Sequence, residues 1–250
     1  MKSLLWISHL VPYPPVSGVA QRSFHLLRAA ARFAEVHFRG LSQRAHHPDP
    51  GSLDRATEAL SELCTTVEVL PIPAERSRLS KAALALTTPV LATPYYARWL
   101  ASPDLAEAVS QCVREHRPDL IHVDTVGLMP YALRSLPTPA VLNHHNIESQ
   151  LLERRAGVER SPGRRAYYWR EARKLLRYER RVCRQVNGNI VVSDLDAERL
   201  RERVGDVPTA VVANGVDVEF FVPRAPLGHG DGGMIFVGGL DWYPNRDAVR

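Results

Sequence analysis

The sequence predicts an α/β fold: a doubly wound, mostly parallel sheet with helices on both faces. Two features carry that expectation. Short apolar, β-rich runs alternate with amphipathic helical runs along most of the chain. The run Leu120-Ile121-His122-Val123 is also nearly continuous in apolar character, as a strand covered on both sides is.

Taken in order, residues 4–11 read as the first strand and 19–33 as the helix after it, with Phe24, Leu27 and Ala31 on one face. Residues 36–41 follow as a strand, 52–63 as a helix and 67–72 as a strand. The stretch 73–99, rich in proline, threonine and tyrosine, carries only a loose assignment. Pro103 in the first helical position behind a Ser102 cap starts a helix that runs to His116. After the strand 120–124 come a helix at 127–136 and a strand at 140–142. A long helix is expected at 162–185 behind Ser161, then a strand at 189–192 and a helix at 195–204 capped by Ser193 or Asp194. Residues 209–213 close the sheet.

Beyond that the chain turns irregular around Pro223 and Pro226 and reads as a linker over 218–232. Met234-Ile235-Phe236-Val237 reads as a new strand, followed by a Gly-Gly turn and a helix start at Pro244. One strand and part of a helix cannot bury a core. The expectation is therefore a domain over 1–217, a linker over 218–232, and at 233–250 the opening of a second domain that continues beyond Arg250.

Composition narrows the class. Cys64, Cys112 and Cys183 are odd in number, far apart and in no CxxC pair, which argues against a disulfide framework or zinc cluster and for a reducing compartment. The amino terminus superficially resembles a signal peptide, but Ser8-His9 breaks its apolar run and a first strand explains it better. No stretch reaches the roughly 18 apolar residues of a membrane span, so a soluble, cytoplasmic protein is expected. The net charge of +5 is concentrated: residues 151–186 hold twelve Arg or Lys against four Glu, leaving 20 basic against 23 acidic residues elsewhere.

That basic segment, 164–184, interleaves arginines with Tyr167, Tyr168, Trp169 and Tyr178, while Trp169, Leu176 and Val182 supply a stripe for the core. Three readings stand: a solvated face, a surface for an anionic membrane, or a nucleic-acid face. The last is disfavoured by the negative remainder and the lack of a nucleic-acid motif.

Candidate site residues cluster where doubly wound sheets bind ligands, beyond the carboxyl ends of the strands. The loop after the first strand leads to Ser17-Gly18, where glycine lets backbone approach a ligand, and Arg22 lies in the first helical turn. A proline-stiffened loop with a solvated Arg22 is the alternative. With one glycine the loop is not G-x-G-x-x-G, which argues against a nicotinamide-dependent dehydrogenase. Asn143-His144-His145-Asn146-Ile147-Glu148 leaves a buried strand as polar residues. Its spacing argues against a metal site; a sugar-contacting histidine, or loop hydrogen bonding with Glu148 as a helix cap, are the stronger readings beside it. Asp124, placed at the mouth of the crevice, either binds an acceptor hydroxyl or caps the next helix.

Five segments in order resemble glycosyltransferase family 4: the proline-rich opening with Ser17-Gly18 and Arg22; Pro118-Asp119-Leu120-Ile121-His122; His145-Asn146-Ile147-Glu148-Ser149; Val212-Ala213-Asn214-Gly215-Val216-Asp217; and Phe236-Val237-Gly238-Gly239-Leu240-Asp241 with Pro244-Asn245. The resemblance implies a GT-B fold of two facing Rossmann-like domains, the second truncated here. It also implies transfer of a sugar from a nucleoside diphosphate sugar to a hydroxyl with retained configuration, in polysaccharide or glycolipid assembly, with no cofactor and no required metal. His145 then matches the family histidine that contacts the donor sugar, at the catalytic site, with His144 the less favoured match; His144 and Asp124 stand as the acceptor-side candidates. Gly18 and Arg22, Asn214 and Gly215 at the interdomain turn, and Gly238 and Gly239 serve the donor. Implied partners are the nucleotide sugar and a saccharide or lipid-linked acceptor; the basic helix Arg164–Arg184 adds an anionic membrane at its cytoplasmic face as one further candidate, and no nucleic acid is expected.

The chain departs from the family pattern where an arginine and a lysine follow the first glycine of the second-domain turn; Gly239 and Pro244-Asn245 stand there, with Arg246 nearby. The family's paired glutamates fall beyond Arg250, so this stretch alone is expected to turn over nothing. Two rivals remain, a nucleotide-sugar epimerase of the same fold and a non-catalytic module that docks on membrane or polyanion.

Overall fold

The computed structural model describes residues 2–88, 91–135, 137–219, 221–222, 234–239, 245 and 248–249. The chain divides into two compact units, Met1–Asn214 and Gly215–Arg250.

The first unit is a Rossmann-like α/β domain. Its seven strands are β1 (Lys2–Ser8), β2 (Ala34–Ser42), β3 (Thr66–Pro71), β4 (Leu120–Val123), β5 (Ala140–Asn143), β6 (Gly188–Val191) and β7 (Thr209–Val211), in the order β3-β2-β1-β4-β5-β6-β7. All six pairings are parallel. The order reverses between β1 and β4, which places a switch point there.

Strand alternation sorts the core into two layers. Leu4, Trp6, Val36 and Phe38 pack with Leu27 of α1 (Gly18–Ala30) and with Ala56 and Leu60 of α2 (Pro50–Ser61). On the other face, Leu5, Ile7, Ile121, Val123 and Leu142 meet residues of α5 (Pro103–His116), α8 (Pro162–Val182) and α9 (Asp194–Val204). Between these run α3 (Arg78–Thr87), α4 (Tyr95–Trp99), α6 (Met129–Leu133) and α7 (Glu148–Val158).

Local chemistry explains several boundaries. Ser17, Ser102 and Ser193 accept from the amides of Ala20, Leu105 and Asp196 respectively and so cap α1, α5 and α9. Other expectations need correction. Ser161 makes no side-chain cap bond at α8. Trp169 is 42% exposed, and the buried stripe of α8 is Ala172, Leu175, Tyr178 and Val182, a neighbouring helical row. The loosely assigned stretch holds α3 and α4, and α7 follows the polar run after β5. Residues 234–237 form no strand; Met234, Ile235 and Val237 are almost fully exposed and enter no sheet. Most of the linker, and Arg246, lie outside the described residues.

Candidate functional site

Asp124 follows β4 at the switch point, with its amide still donating to the Ile7 carbonyl of β1 (2.9 Å). It is completely buried, contrary to the exposed position expected at the mouth of a crevice. Four side chains converge on its carboxylate: Ser23 Oγ (2.6 Å) and Ser8 Oγ (3.2 Å) on Oδ2, and Asn143 Nδ2 (2.8 Å) and His145 Nε2 (2.9 Å) on Oδ1. All of its partners in this cluster are side chains of the domain itself. The carboxylate is a positioning group, and it does not cap the next helix through its side chain either, because Thr125 and Leu128 precede the short turns there without cap bonds.

Burial alone would raise the Asp124 carboxyl; the His145 ring and its hydrogen bond, with His122 nearby, outweigh it and hold the group well below the usual carboxylate range. His122 Nε2 stands 3.9 Å from Oδ1, beyond hydrogen-bond reach, and its ring stacks on Trp6 at 3.7 Å. His9 contributes from the other side: Nδ1 is 3.1 Å from the Asp124 carbonyl, and burial lowers its pKa to about 4, so the ring is neutral and Nδ1–H donates.

His145 is the other half of the pair. Donation from Nε2 to Asp124 leaves the Nδ1 lone pair and fixes the plane of the ring. His144, its neighbour, turns the opposite way: Nε2 bonds Asn189 Oδ1 at 3.0 Å, Cys183 Sγ lies 3.9 Å off, and burial lowers its pKa to about 4. That ring braces the end of β5 on β6. Glu148 lies within the first turn of α7 and is not its cap; burial, then Glu179, raises its carboxyl to about 7 against the pull of His145.

Arg22 is held by the protein itself. Nη1 donates to the Val212 carbonyl (2.7 Å) and Asn214 Oδ1 (2.9 Å), while Nη2 and Nε reach Asn143 Oδ1 at 3.0 and 3.3 Å. It is buried, contrary to the solvated alternative. Its work is to tie the chain after β7 to the end of β5. Arg22, Asn143, Asp124 and His145 thus form one hydrogen-bonded line across the carboxyl ends of β4 and β5.

Gly18 opens α1 a short way from this line in sequence. A Cβ built there meets nothing within 4 Å, so the approach to the helix start is open. The first amides of any helix lack intrahelical acceptors and sit at its positive end. Gly215 is equally open. In the second unit Gly238 is crowded: an added Cβ would come within 2.8 Å of Asn245 Nδ2, the same amide that donates to the Gly239 carbonyl at 2.9 Å. Asn245 therefore closes the Gly238-Gly239 turn from inside its own unit.

Asn143, His145 and Asp124 were visible in the sequence as polar residues leaving buried strands. Ser8, His9 and Ser23 carry little mark of a site in the sequence. The only signal was the break that Ser8-His9 makes in the first apolar run.

The solved structures that resemble the chain include sucrose-phosphate synthase from Thermosynechococcus elongatus, with 15% identity and a TM-score of 0.58, covering 89% of this chain and 51% of that one. Arabidopsis thaliana UGT89C1 complexed with UDP-L-rhamnose matches at 13% identity and a TM-score of 0.45 over 85% of this chain and 52% of that one. The chain thus spans about half the length of the structures it matches, and at 15% identity the likeness to sucrose-phosphate synthase is one of fold. No curated protein sequence matches it. The GT-B class expected from the motifs holds at the level of fold. Residues 16–220, most of the chain, match the family model described as Glycosyltransferase Family 4, and the chain belongs to that family.

Proposed function

We propose that the protein moves a sugar from a nucleoside diphosphate sugar to a hydroxyl of a saccharide or lipid-linked acceptor, with retention of anomeric configuration and without a metal or other cofactor. The observation that carries this reading is the Asp124–His145 pair at the switch point of a chain that matches Glycosyltransferase Family 4. Asp124 holds His145 in one tautomer and one plane, so Nδ1 can accept from a donor-sugar hydroxyl without reorganising. Cleavage of the sugar–phosphate bond leaves charge on the departing diphosphate, and fixed dipoles aimed at that charge lower the barrier. The open start of α1 at Gly18 supplies such dipoles from backbone amides. Asn214, Gly215, Gly238 and Gly239 remain donor-side residues by resemblance; the geometry argues chiefly for His145 and Gly18.

The test is turnover by the full-length protein with a panel of UDP- and GDP-sugars, reading the anomeric configuration of the product by NMR. Transfer with retention is expected, and His145→Ala should lower kcat about 100-fold or more. Release of an epimerised nucleotide sugar without transfer would replace this reading with the same-fold epimerase.

A specific surface favours the membrane-associated version of the reading, at the cytoplasmic face. Leu91, Pro94, Trp169, Arg173, Arg177 and Arg181 line a groove of about 1070 Å³ along α8. Lys174 donates to the Thr88 carbonyl (2.5 Å), which ties the end of α3 beside it. On α3, Leu79, Ala82, Ala83 and Leu86 recur at i, i+3, i+4 and i+7 and all face solvent. An apolar stripe next to arginines suits lipid tails and anionic headgroups together. Polysaccharide or glycolipid assembly at that surface is the matching role.

A further inference from the structure

We infer that His37, Cys112 and His116 form a binding site for a borderline-soft divalent transition metal, with zinc as the natural class, at the end of the sheet opposite the Asp124 cluster. One ligand atom from each residue lies within 4.8 Å of the others. Cys112 and His116 are four residues apart on α5, so the helix presents both on one side. His37 faces them from β2, where it pairs with Leu5 and Thr66 toward the amino ends of the strands.

The donor set selects the metal. A thiolate with two imidazoles suits zinc, cobalt or copper and not magnesium or calcium. His37 is prepared for the role: its Nδ1 bonds Thr66 Oγ1 at 3.0 Å, which leaves Nε2 for a metal and supplies the outer hydrogen bond that orients a ligating imidazole. Arg39 also bonds Thr66 Oγ1 (2.9 Å), and its charge is met by Glu68 at 3.2 Å.

Two adjustments accompany binding. The rings of His37 and His116 stack at 3.9 Å and 14°, so their lone pairs run parallel, and one must turn to converge on a metal. His116 is the last residue of α5 and its side chain is 30% exposed, so it is the one able to turn. The Cys112 thiol loses its proton to solvent as the sulfur–metal bond forms. The fourth position then falls to water or a carboxylate. Closed this way, the site clasps the end of α5 to β2, and its assignment does not depend on the transferase reading.

The experiment is cobalt titration of the tag-free protein, followed by displacement with zinc. One equivalent should bind with thiolate-to-cobalt charge-transfer absorption and tetrahedral visible bands, and zinc should abolish both. Cys112→Ser should lose the charge-transfer band, and His116→Ala should weaken binding about tenfold or more. A zinc-induced rise in Tm, present in the parent and absent in both variants, reads the site independently of absorption. Cobalt bound without thiolate absorption, equal binding by Cys112→Ser, or no stoichiometric binding would each overturn the assignment. Circular dichroism of the metal-free variants identifies any that fail to fold, and the parent titration alone then decides.

Discussion

Helix α8 holds two kinds of charge. On its buried side Lys174 and Glu171 pair at 2.6 Å, Glu171 accepts the Tyr95 amide, and Glu179 accepts the amide and hydroxyl of Ser149. On its outer side Arg173 and Arg177 are exposed and take part in no hydrogen bond or ion pair among the described residues. The Asp124 cluster carries the buried regime to its limit: a carboxylate with four donors, and an arginine whose bonds all run to protein. Buried charge survives only with its partners in place, so it is preorganised; surface charge without partners is free to meet an external anion. Preorganisation and docking are thus built from the same residue types in different solvent.

The sharpest way to break that contrast is Asp124→Ala. It strands the Arg22–Asn143 line, Ser8, Ser23 and His145 around a vacated anion, and breaking a buried compensated group costs about 3–5 kcal/mol. Urea unfolding should show the midpoint falling with an unchanged m-value. Asp124→Asn keeps an acceptor and lets the two serines reorient, so it should cost less while still removing the anion that holds His145. A loss below about 1 kcal/mol for the alanine variant would mean the cluster is not the compensated hub described.

Next in size is the pH dependence of the buried histidines. His9 and His144 both fall from 6.5 to about 4, chiefly through burial. Between those values the unfolded chain binds the proton and the folded chain does not, so stability rises with pH through the window. It is complete above 6.5 and is lost as pH falls toward 4, by on the order of 3 kcal/mol per histidine. Glu148 works in the other direction: its carboxyl, raised from 4.5 to about 7, favours the fold at low pH and loses that contribution as pH rises through the interval. Single variants separate the two. His144→Asn should flatten the acid limb of the stability curve by about 1.4 kcal/mol per pH unit; an unaltered limb would mean His144 is charged or solvated in the fold.

What the sequence could disclose follows the range of the interactions. Ser102-Pro103 marked the start of α5 because a cap is decided within one turn. The order of strands and helices was legible for the same reason, each being a local periodicity. Trp169 was misplaced because two adjacent stripes of α8 are both apolar enough, and which turns inward is decided by packing against the sheet. The expectation of a strand at 234–237 rested on apolar character alone, and these residues find no sheet to join. At the site, Asp124 and His145 announced themselves as polar residues ending buried strands, but their direct bond is a tertiary fact. Ser8 and Ser23 carry no signal, since serine is at home in any loop or helix. His37 is remote in sequence from Cys112 and His116, so only the packing of α5 on β2 brings the thiol and the two imidazoles together.

The smallest expected effect sharpens the comparison from the docking side. Replacing Arg173 and Arg177 together by glutamine should leave the unfolding free energy within about 0.5 kcal/mol, because neither side chain is part of the fold's internal bonding. Sedimentation with vesicles containing anionic lipid should respond instead: each arginine near a charged bilayer is worth about 1 kcal/mol, or about fivefold in binding, and the effect should fade as salt rises. Leu79→Ser and Leu86→Ser on α3 should weaken binding with little dependence on salt, since they remove apolar contact. If the arginine pair shifts stability and leaves vesicle binding untouched, these residues belong to the internal regime after all. If neutral and anionic vesicles bind equally, the apolar stripe alone carries the docking and the charge of α8 serves solubility.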